Sequence, residues 1–300
     1  MRILVTGTQG QVARALAERA AAKGVTVTCL GRPDLDLEDA VSIHRAITKA
    51  GGDVVVNAAA YTAVDQAERE PERAQAVNGA GAGHVAAAAA ALGVPVIHLS
   101  TDYVYEGSLD RPYRETDPVG PVGAYGRSKL AGESAVAAAN LDHVILRTAW
   151  VYSPFGRNFV KTMLHLAASR DEVSVVADQQ GCPTYALDIA DGVLAISRNL
   201  VNAPGDANLR GVFHMAGEGS TTWAAFAEHV MQVSAQRGGP HARVRAITTA
   251  EYPTPARRPA NSRLDCRKLA QVHGVALPEW RASASLCVER LILEFNGATA

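Results

Sequence analysis

The run Arg2-Ile3-Leu4-Val5-Thr6-Gly7-Thr8-Gln9-Gly10-Gln11-Val12-Ala13 decides the fold. Arg2 to Val5 reads as a short strand and Gln11 to Ala22 as an Ala-rich helix. The link between them holds Gly7 and Gly10 in a G-x-x-G arrangement. Glycine lets the backbone turn tightly and lets a pyrophosphate approach the free N–H groups of a helix N-terminus. A plain strand-to-helix turn would use the same residues. Its place directly after an N-terminal strand favours the dinucleotide reading. The third glycine of that pattern is replaced by Ala13, still small enough for close helix packing.

Outward from this run, strand and helix signals alternate. Val25 to Leu30 reads as a strand, Leu37 to Ala50 as a helix with Ala40, Val41, Ile43, Ala46 and Ile47 on one face, and Asp53 to Val56 as a third strand. A long helix over Glu72 to Leu92 precedes a strand at Pro95 to Leu99. A helix over Tyr125 to Ala139 precedes a fifth strand at His143 to Leu146. Continuously apolar strands separated by helices predict a parallel sheet covered on both faces. Right-handed crossovers make it an α/β, doubly wound, Rossmann-like sheet.

After Trp150 the pattern loosens, with Pro, Gly and Asn punctuating Tyr152 to Asn158 and Asn202 to Gly211. The expected division is a dinucleotide-binding domain over 1–150. The stretch 188–217 returns to it as a helix (Ile189 to Leu200) and a strand (Val212 to Ala216). A smaller C-terminal substrate-binding lobe is built from 151–187 and 218–300.

Composition narrows the function. The 300 residues are 48% hydrophobic and 20% charged, a globular balance. The formal net charge is -1 and no block of like charges occurs, which argues against nucleic acid or an anionic membrane as partner. Cys29, Cys182, Cys266 and Cys287 form no CxxC pair, so free thiols in a reducing compartment are expected. The Ala-rich window Val85 to Leu99, interrupted by Gly93 and Pro95, is too short to span a bilayer. Met1-Arg2 runs straight into the first strand with no signal-peptide pattern, so the expected location is cytoplasmic.

Every chemical motif falls at the carboxyl end of an expected strand, where doubly wound sheets bind ligands. Arg32 stands where an acidic residue would accept from an adenosine ribose. It is placed to pair with a 2′-phosphate, which favours NADPH over NADH; a solvated surface arginine is the other reading. Asp36 and Leu37 follow closely enough to flank the adenine. The small side chains of Asn57-Ala58-Ala59-Ala60-Tyr61-Thr62 let backbone lie against a cofactor, or simply form a turn.

His98-Leu99-Ser100-Thr101-Asp102-Tyr103 ends the fourth strand, and the Thr101 hydroxyl is a candidate donor to a substrate carbonyl. A Ser-Thr-Asp turn can also be only a cap. Tyr125-Gly126-Arg127-Ser128-Lys129 is the most informative stretch. Residues four apart share a helix face, so Lys129 is expected beside the Tyr125 phenol, lowering its pKa and making it a usable proton donor.

These residues together resemble the extended short-chain dehydrogenase/reductase superfamily, and within it the dTDP-4-dehydrorhamnose reductase family. The resemblance also rests on Asn57 to Asp65, Arg147-Thr148-x-Trp150-Val151-Tyr152, Gly181-x-Pro183-Thr184 and the late run Tyr252 to Leu264. It implies hydride transfer from NADPH, or NADH, to the 4-keto group of a nucleotide-linked sugar. Tyr125 would donate the proton, Thr101 would hydrogen-bond the carbonyl, and Lys129 would also hold the nicotinamide ribose. Asp102 and Trp150 would contact the sugar. Gly7, Gly10, Gln11, Val12, Asp36, Leu37, Ala60, Tyr61 and Thr62 would line the cofactor.

Arg258 and Arg263 are candidates to clamp the diphosphate, with a surface or inter-lobe ion pair as the alternative. Trp150 directly follows the fifth strand and can also be core. No inward-facing carboxylate cluster stands out, so no structural metal is expected, and the assembly expected is a monomer or weak homodimer. Two further readings stay open. One is a cofactor-binding regulatory subunit without turnover. The other is an epimerase or dehydratase, against which Asp102-Tyr103 after Thr101 argues, since dehydratases place Asp-Glu there.

Overall fold

The structure is a computed structural model and describes residues 1–297. Strand β1 (Arg2–Thr6) leads to helix α1 (Gln11–Ala21), then β2 (Thr26–Leu30), α2 (Ala40–Ala50), β3 (Val54–Asn57) and the single turn α3 (Val64–Ala67). Next come α4 (Pro71–Gln75) and α5 (Gly81–Ala91), joined by a π turn over Ala76–Ala80, then β4 (Val96–Thr101), α6 (Ala124–Ala139) and β5 (His143–Thr148). The rest of the chain runs β6 (Val151–Tyr152), α7 (Phe159–Ala167), β7 (Glu172–Val176), β8 (Gln180–Gly181), β9 (Thr184–Tyr185), α8 (Ala186–Asn202) and β10 (Gly211–His214). It ends with β11 (Thr221–Thr222), α9 (Trp223–Gln236), β12 (Arg243–Ile247), β13 (Asn261–Ser262), α10 (Arg267–His273) and α11 (Trp280–Gly297).

The main sheet has the order β10-β5-β4-β3-β1-β2, with every pair parallel. The chain reverses its winding direction between β1 and β3, which opens a crevice beyond their carboxyl ends. One face of the sheet packs Ile3, Val5, Val56 and Ile97 against α1 and α8. The other packs Leu4, Val55, Val96 and Ile145 against α2, α5 and Val136 of α6. Strand β10 takes the edge beside β5, and α8 lies against α1, where Lys23 pairs with Asp191 at 2.6 Å. Three small sheets, β11-β8-β13, β12-β7 and β6-β9, lie outside the main one.

Two expected helices differ from the observed ones. Helix α2 begins at Ala40, because Asp39 caps it by accepting from the Val41 N–H. Its buried face is Ser42, Ile43, Ala46 and Ile47, while Val41 is 72% exposed and does not share it. The long helix is broken by the π turn, which widens the spiral by one residue and turns Asn78 inward. Asn78 Oδ1 accepts from Tyr61 N–H at 2.7 Å, and Nδ2 donates to Tyr61 O and to Ser128 Oγ at 3.0 and 2.9 Å. A side chain on Gly132 would overlap the Asn78 carbonyl, so α6 reaches this position only with glycine there.

Candidate functional site

A cleft of about 790 Å³ lies over the carboxyl ends of β1 to β4. That is ample for a drug-sized or larger ligand. Gly7, Gly10, Gln11 and Val12 wall one side, Arg32, Asp36 and Leu37 one end, Ala60, Tyr61 and Thr62 the middle, and Tyr125 and Lys129 the inner end. Gly7 has φ +92°, a conformation that side chains oppose, and its N–H donates to Leu30 O at 2.6 Å. Gly10, at the start of α1, carries no side chain that would stand between a ligand and the first N–H groups of the helix. Arg32 is exposed at the rim.

Sequence reasoning missed several wall residues. Arg73 of α4 stands at the same end as Arg32, and Arg157 and Thr148 also line the cleft. The buried Thr148 hydroxyl has no partner of its own, and neither has Oδ2 of Asp102, which follows the residue paired with Thr148 across β4 and β5. Orphaned polar atoms beside a cleft mark where a ligand completes the bonding. The signal for Thr148 was there: it sits at the carboxyl end of β5, level with the other motifs.

The candidate chemistry gathers at the inner end. Thr101 closes β4, and its hydroxyl donates to Asp102 Oδ1 at 2.9 Å. Helix α6 starts at Ala124, whose N–H donates to Glu68 Oε1 at 2.7 Å. A side chain at Gly126 would overlap the Tyr103 carbonyl, so the first turn of α6 lies directly on the turn after β4. That contact brings Tyr125 beside Thr101, with the Tyr125 ring edge-on to Tyr103 at 5.5 Å. Burial pushes the Tyr125 phenol up to about 12, with the Thr101 hydroxyl pulling it down and the Asp102 charge pushing it further up.

Lys129 corrects one expectation. It lies one turn beyond Tyr125, but its ammonium does not bond the phenol and does not lower its pKa in this structure. Nζ donates instead to Leu99 O at 2.7 Å and lies 3.3 Å from His98 Nε2. Burial lowers Lys129 to about 8 against the raising influence of Glu133.

The late arginines are engaged elsewhere. Arg258 Nη2 donates to Asp65 Oδ2 at 2.9 Å, and Nη1 to Thr254 Oγ1 and Ala256 O. Arg263 donates to Asn261 Oδ1 at 2.9 Å and to Asp110 O. Arg258 thus makes the ion pair read as the alternative, Arg263 makes hydrogen bonds without an ion pair, and neither walls the cleft. Trp150 also lies outside the cleft wall, as do Thr101 and Asp102. Its backbone is held at φ 48°, unusual for a bulky residue. Its indole stacks on Trp223 at 3.6 Å between ring centroids and packs on Gly181, where a Cβ would overlap it. Trp223, the first residue of α9, was not singled out from the sequence.

Asp102 carries the clearest electrostatic cost. It is 3% exposed, and burial raises its carboxyl to about 6 despite the hydroxyls of Ser262 and Thr101 and nearby backbone N–H groups. A carboxyl with a raised folded pKa stabilises fully below its unfolded pKa, near 3.8, and that contribution is lost as pH rises through about 6. Asp102→Asn removes the ionisation. It is expected to stabilise the ligand-free protein by about 2 kcal/mol at pH 8 and by much less at pH 4, read by thermal unfolding at both. Equal effects at the two pH values would show that ionisation is not the cost.

Among the described residues no group of three His, Cys, Asp or Glu side chains could hold a metal ion. No helix among them is long and apolar enough to cross a membrane.

Residues 1–293 match the family model described as RmlD substrate binding domain. A dTDP-4-dehydrorhamnose reductase of Sinorhizobium fredii is 53% identical over 99% of this chain and 100% of its own. Among solved structures, a dTDP-4-dehydrorhamnose reductase of Clostridium acetobutylicum superposes with TM-score 0.89 and 36% identity, covering 97% of this chain and 99% of its own. One of Bacillus anthracis, solved in complex with NADP, superposes with TM-score 0.87 and 31% identity, covering 98% and 99%.

Proposed function

The chain belongs to the RmlD substrate-binding-domain family, and from that membership we propose that it is an NADPH-dependent oxidoreductase reducing the 4-keto group of dTDP-4-dehydro-6-deoxy-L-mannose to dTDP-L-rhamnose. The observation that carries the residue assignment is that Tyr125, at the inner end of a glycine-turned cleft, is hydrogen-bonded to Thr101 just behind the wall. The cleft fits the cofactor: the Gly7 turn and the start of α1 would hold the pyrophosphate, Arg32 and Arg73 the adenosine end, and Lys129 the nicotinamide ribose.

When bound there, NADPH supplies the hydride. The protein's share is to place the keto carbon and to meet charge growing on its oxygen. Thr101 and Tyr125 are the donors aimed at that oxygen, which makes their contribution largest in the transition state. Tyr125 then gives its proton to the oxygen. Its phenol, raised by burial, stays protonated until needed. Lys129, with no bond to the phenol in the ligand-free protein, would reach it through the ribose that it holds. Asp102 and the Trp150–Trp223 stack would contact the sugar, and Arg258 and Arg263 would reach its diphosphate only by giving up the bonds to Asp65 and Asp110 that they make here.

This reading carries with it a cytoplasmic enzyme acting as a monomer or weak homodimer, checked by sedimentation across concentration. The test of activity is NADPH consumption with enzymatically made dTDP-4-dehydro-6-deoxy-L-mannose, repeated with NADH. Stoichiometric loss of NADPH with dTDP-L-rhamnose formed is expected. Cofactor bound without consumption would point to a regulatory subunit. Sugar conversion without net consumption would point to an epimerase or dehydratase.

A further inference from the structure

The face of the main sheet beneath α6 changes character toward the carboxyl ends of its strands. Leu4, Val55, Val96 and Ile145 are apolar and buried together. Two residues further along each strand, the same face carries Thr6, Asn57, His98 and Arg147, all buried. Register sets Thr6 opposite Asn57, and Asn57 opposite His98. Buried polar side chains are costly unless each is paired.

Here the pairing has a direction. Thr6 Oγ1 accepts from the N–H groups of Ala58 and Ala59, both at 3.1 Å. With both lone pairs used, its own proton goes to Asn57 Oδ1 at 2.7 Å. The amide is thereby fixed, and Asn57 Nδ2 donates to His98 Nδ1 at 3.0 Å. A neutral imidazole with an accepting Nδ1 carries its single proton on Nε2. That atom faces Lys129 Nζ at 3.3 Å. The ring is neutral because burial, and then the Lys129 charge, hold His98 well below its ordinary range.

We propose that Thr6, Asn57 and His98 form a tautomer lock that turns an imidazole N–H toward Lys129 and so sets how firmly this lysine holds its proton. His98 is a positioning residue in this scheme, and the scheme rests on Lys129 serving the Tyr125 site. A free amine accepts the Nε2–H; an ammonium meets it donor to donor. The lock thus eases proton loss from Lys129. The other titratable groups around Lys129 are Glu133 and Tyr125 on its own helix. Arg147, from β5, is turned away onto Glu133.

Two measurements test the lock without turnover. Ring ¹⁵N NMR of His98 is expected to show the neutral Nε2–H form from neutral pH down to the acid limit of folding. A proton on Nδ1, or a charged ring at neutral pH, overturns the proposal. Thr6→Val then frees the Asn57 amide to rotate and the ring to offer a bare Nε2 to the ammonium. Lysine ¹³C NMR, with the resonance assigned by Lys129→Met, is expected to show Lys129 titrating about one unit higher. The alkaline limb of kcat should move with it, and Thr6→Ser should restore both.

An unmoved Lys129 titration in folded Thr6→Val sinks the lock and leaves a structural hydrogen-bond chain. Should that variant not fold, Asn57→Asp serves, since a carboxylate accepts from both neighbours and must move the ring proton to Nδ1. A ring that keeps Nε2–H in Asn57→Asp overturns the proposal equally. Failed turnover with the expected tautomer and titration would count against the reductase reading and not against the lock.

Discussion

Tyr125→Phe is expected to lower kcat by about 10²–10⁴-fold while leaving NADPH affinity within a few-fold of the parent. The ring stays, so its edge contact with Tyr103 at 5.5 Å and the packing of α6 are kept. Only the hydroxyl goes, and with it the proton that, in the proposed reaction, neutralises the substrate oxygen as hydride adds. Thr101 remains to hydrogen-bond that oxygen but can lend no comparable proton. Stopped-flow single turnovers, with cofactor affinity from fluorescence titration, separate the two effects. A rate within a few-fold of the parent would move the donor role to another group. Parallel loss of cofactor binding would make Tyr125 a wall of the cleft and no donor. Thr101→Val should act in the same direction but less strongly, because it removes a hydrogen bond and no transferred proton.

Tyr125 could be singled out from the sequence because its relation to Lys129 and Thr101 is set locally. Four residues along a helix fix its angle to Lys129, and the strand before Thr101 fixes where that hydroxyl emerges. The order of elements and the parallel sheet were visible for a similar reason: apolar runs such as Val54 to Val56 can be buried on both faces only in that architecture. What stayed hidden depends on contacts distant in the chain. The π turn at Ala76–Ala80 follows from α6 pressing Gly132 onto Asn78. The Trp150–Trp223 stack joins positions seventy-odd residues apart, and Arg258 finds Asp65 across the chain. Lys129 was expected to act directly on the phenol, but here its ammonium donates to Leu99 O, a strand contact that helix spacing does not show. The polar residues Thr6, Asn57, His98 and Arg147 could have been read, each two positions after Leu4, Val55, Val96 and Ile145 in four strands. Only the register shows that Thr6, Asn57 and His98 meet, and that Arg147 falls one step further on, opposite Ser100.

Arg147 is the last of these residues, and its replacement should carry the largest stability effect in the molecule. Arg147 Nε and Nη2 donate to the two carboxylate oxygens of Glu133 at 2.9 and 2.6 Å, with both side chains 5% exposed. Nη1 donates to Tyr105 Oη at 2.6 Å. Tyr105 Oη in turn lies 2.7 Å from His214 Nε2, whose ring is lowered to about 3 by burial and by the Arg147 charge. Ser100 also donates to Glu133. One guanidinium thus ties β4, β5, β10 and α6 together behind the catalytic end of the cleft.

Arg147→Met keeps the volume but leaves a carboxylate buried with one hydroxyl for a partner. Removing one member of such a pair costs about 3–5 kcal/mol, a fall in melting temperature of roughly 10 °C. The stranded Glu133 carboxyl would be pushed above its ordinary range in the variant. A raised folded pKa gives stability that is present below the unfolded pKa, near 4.3, and lost as pH rises. The deficit of Arg147→Met relative to the parent should therefore be smaller at pH 5 than at pH 8. Adding Glu133→Gln should recover part of the loss, because no charge is then buried alone. Thermal unfolding of the two single variants and the double variant, at both pH values, completes the cycle. Additive losses with no pH dependence would mean that the pair is held by packing, and that its charges contribute nothing to the stability of the catalytic end.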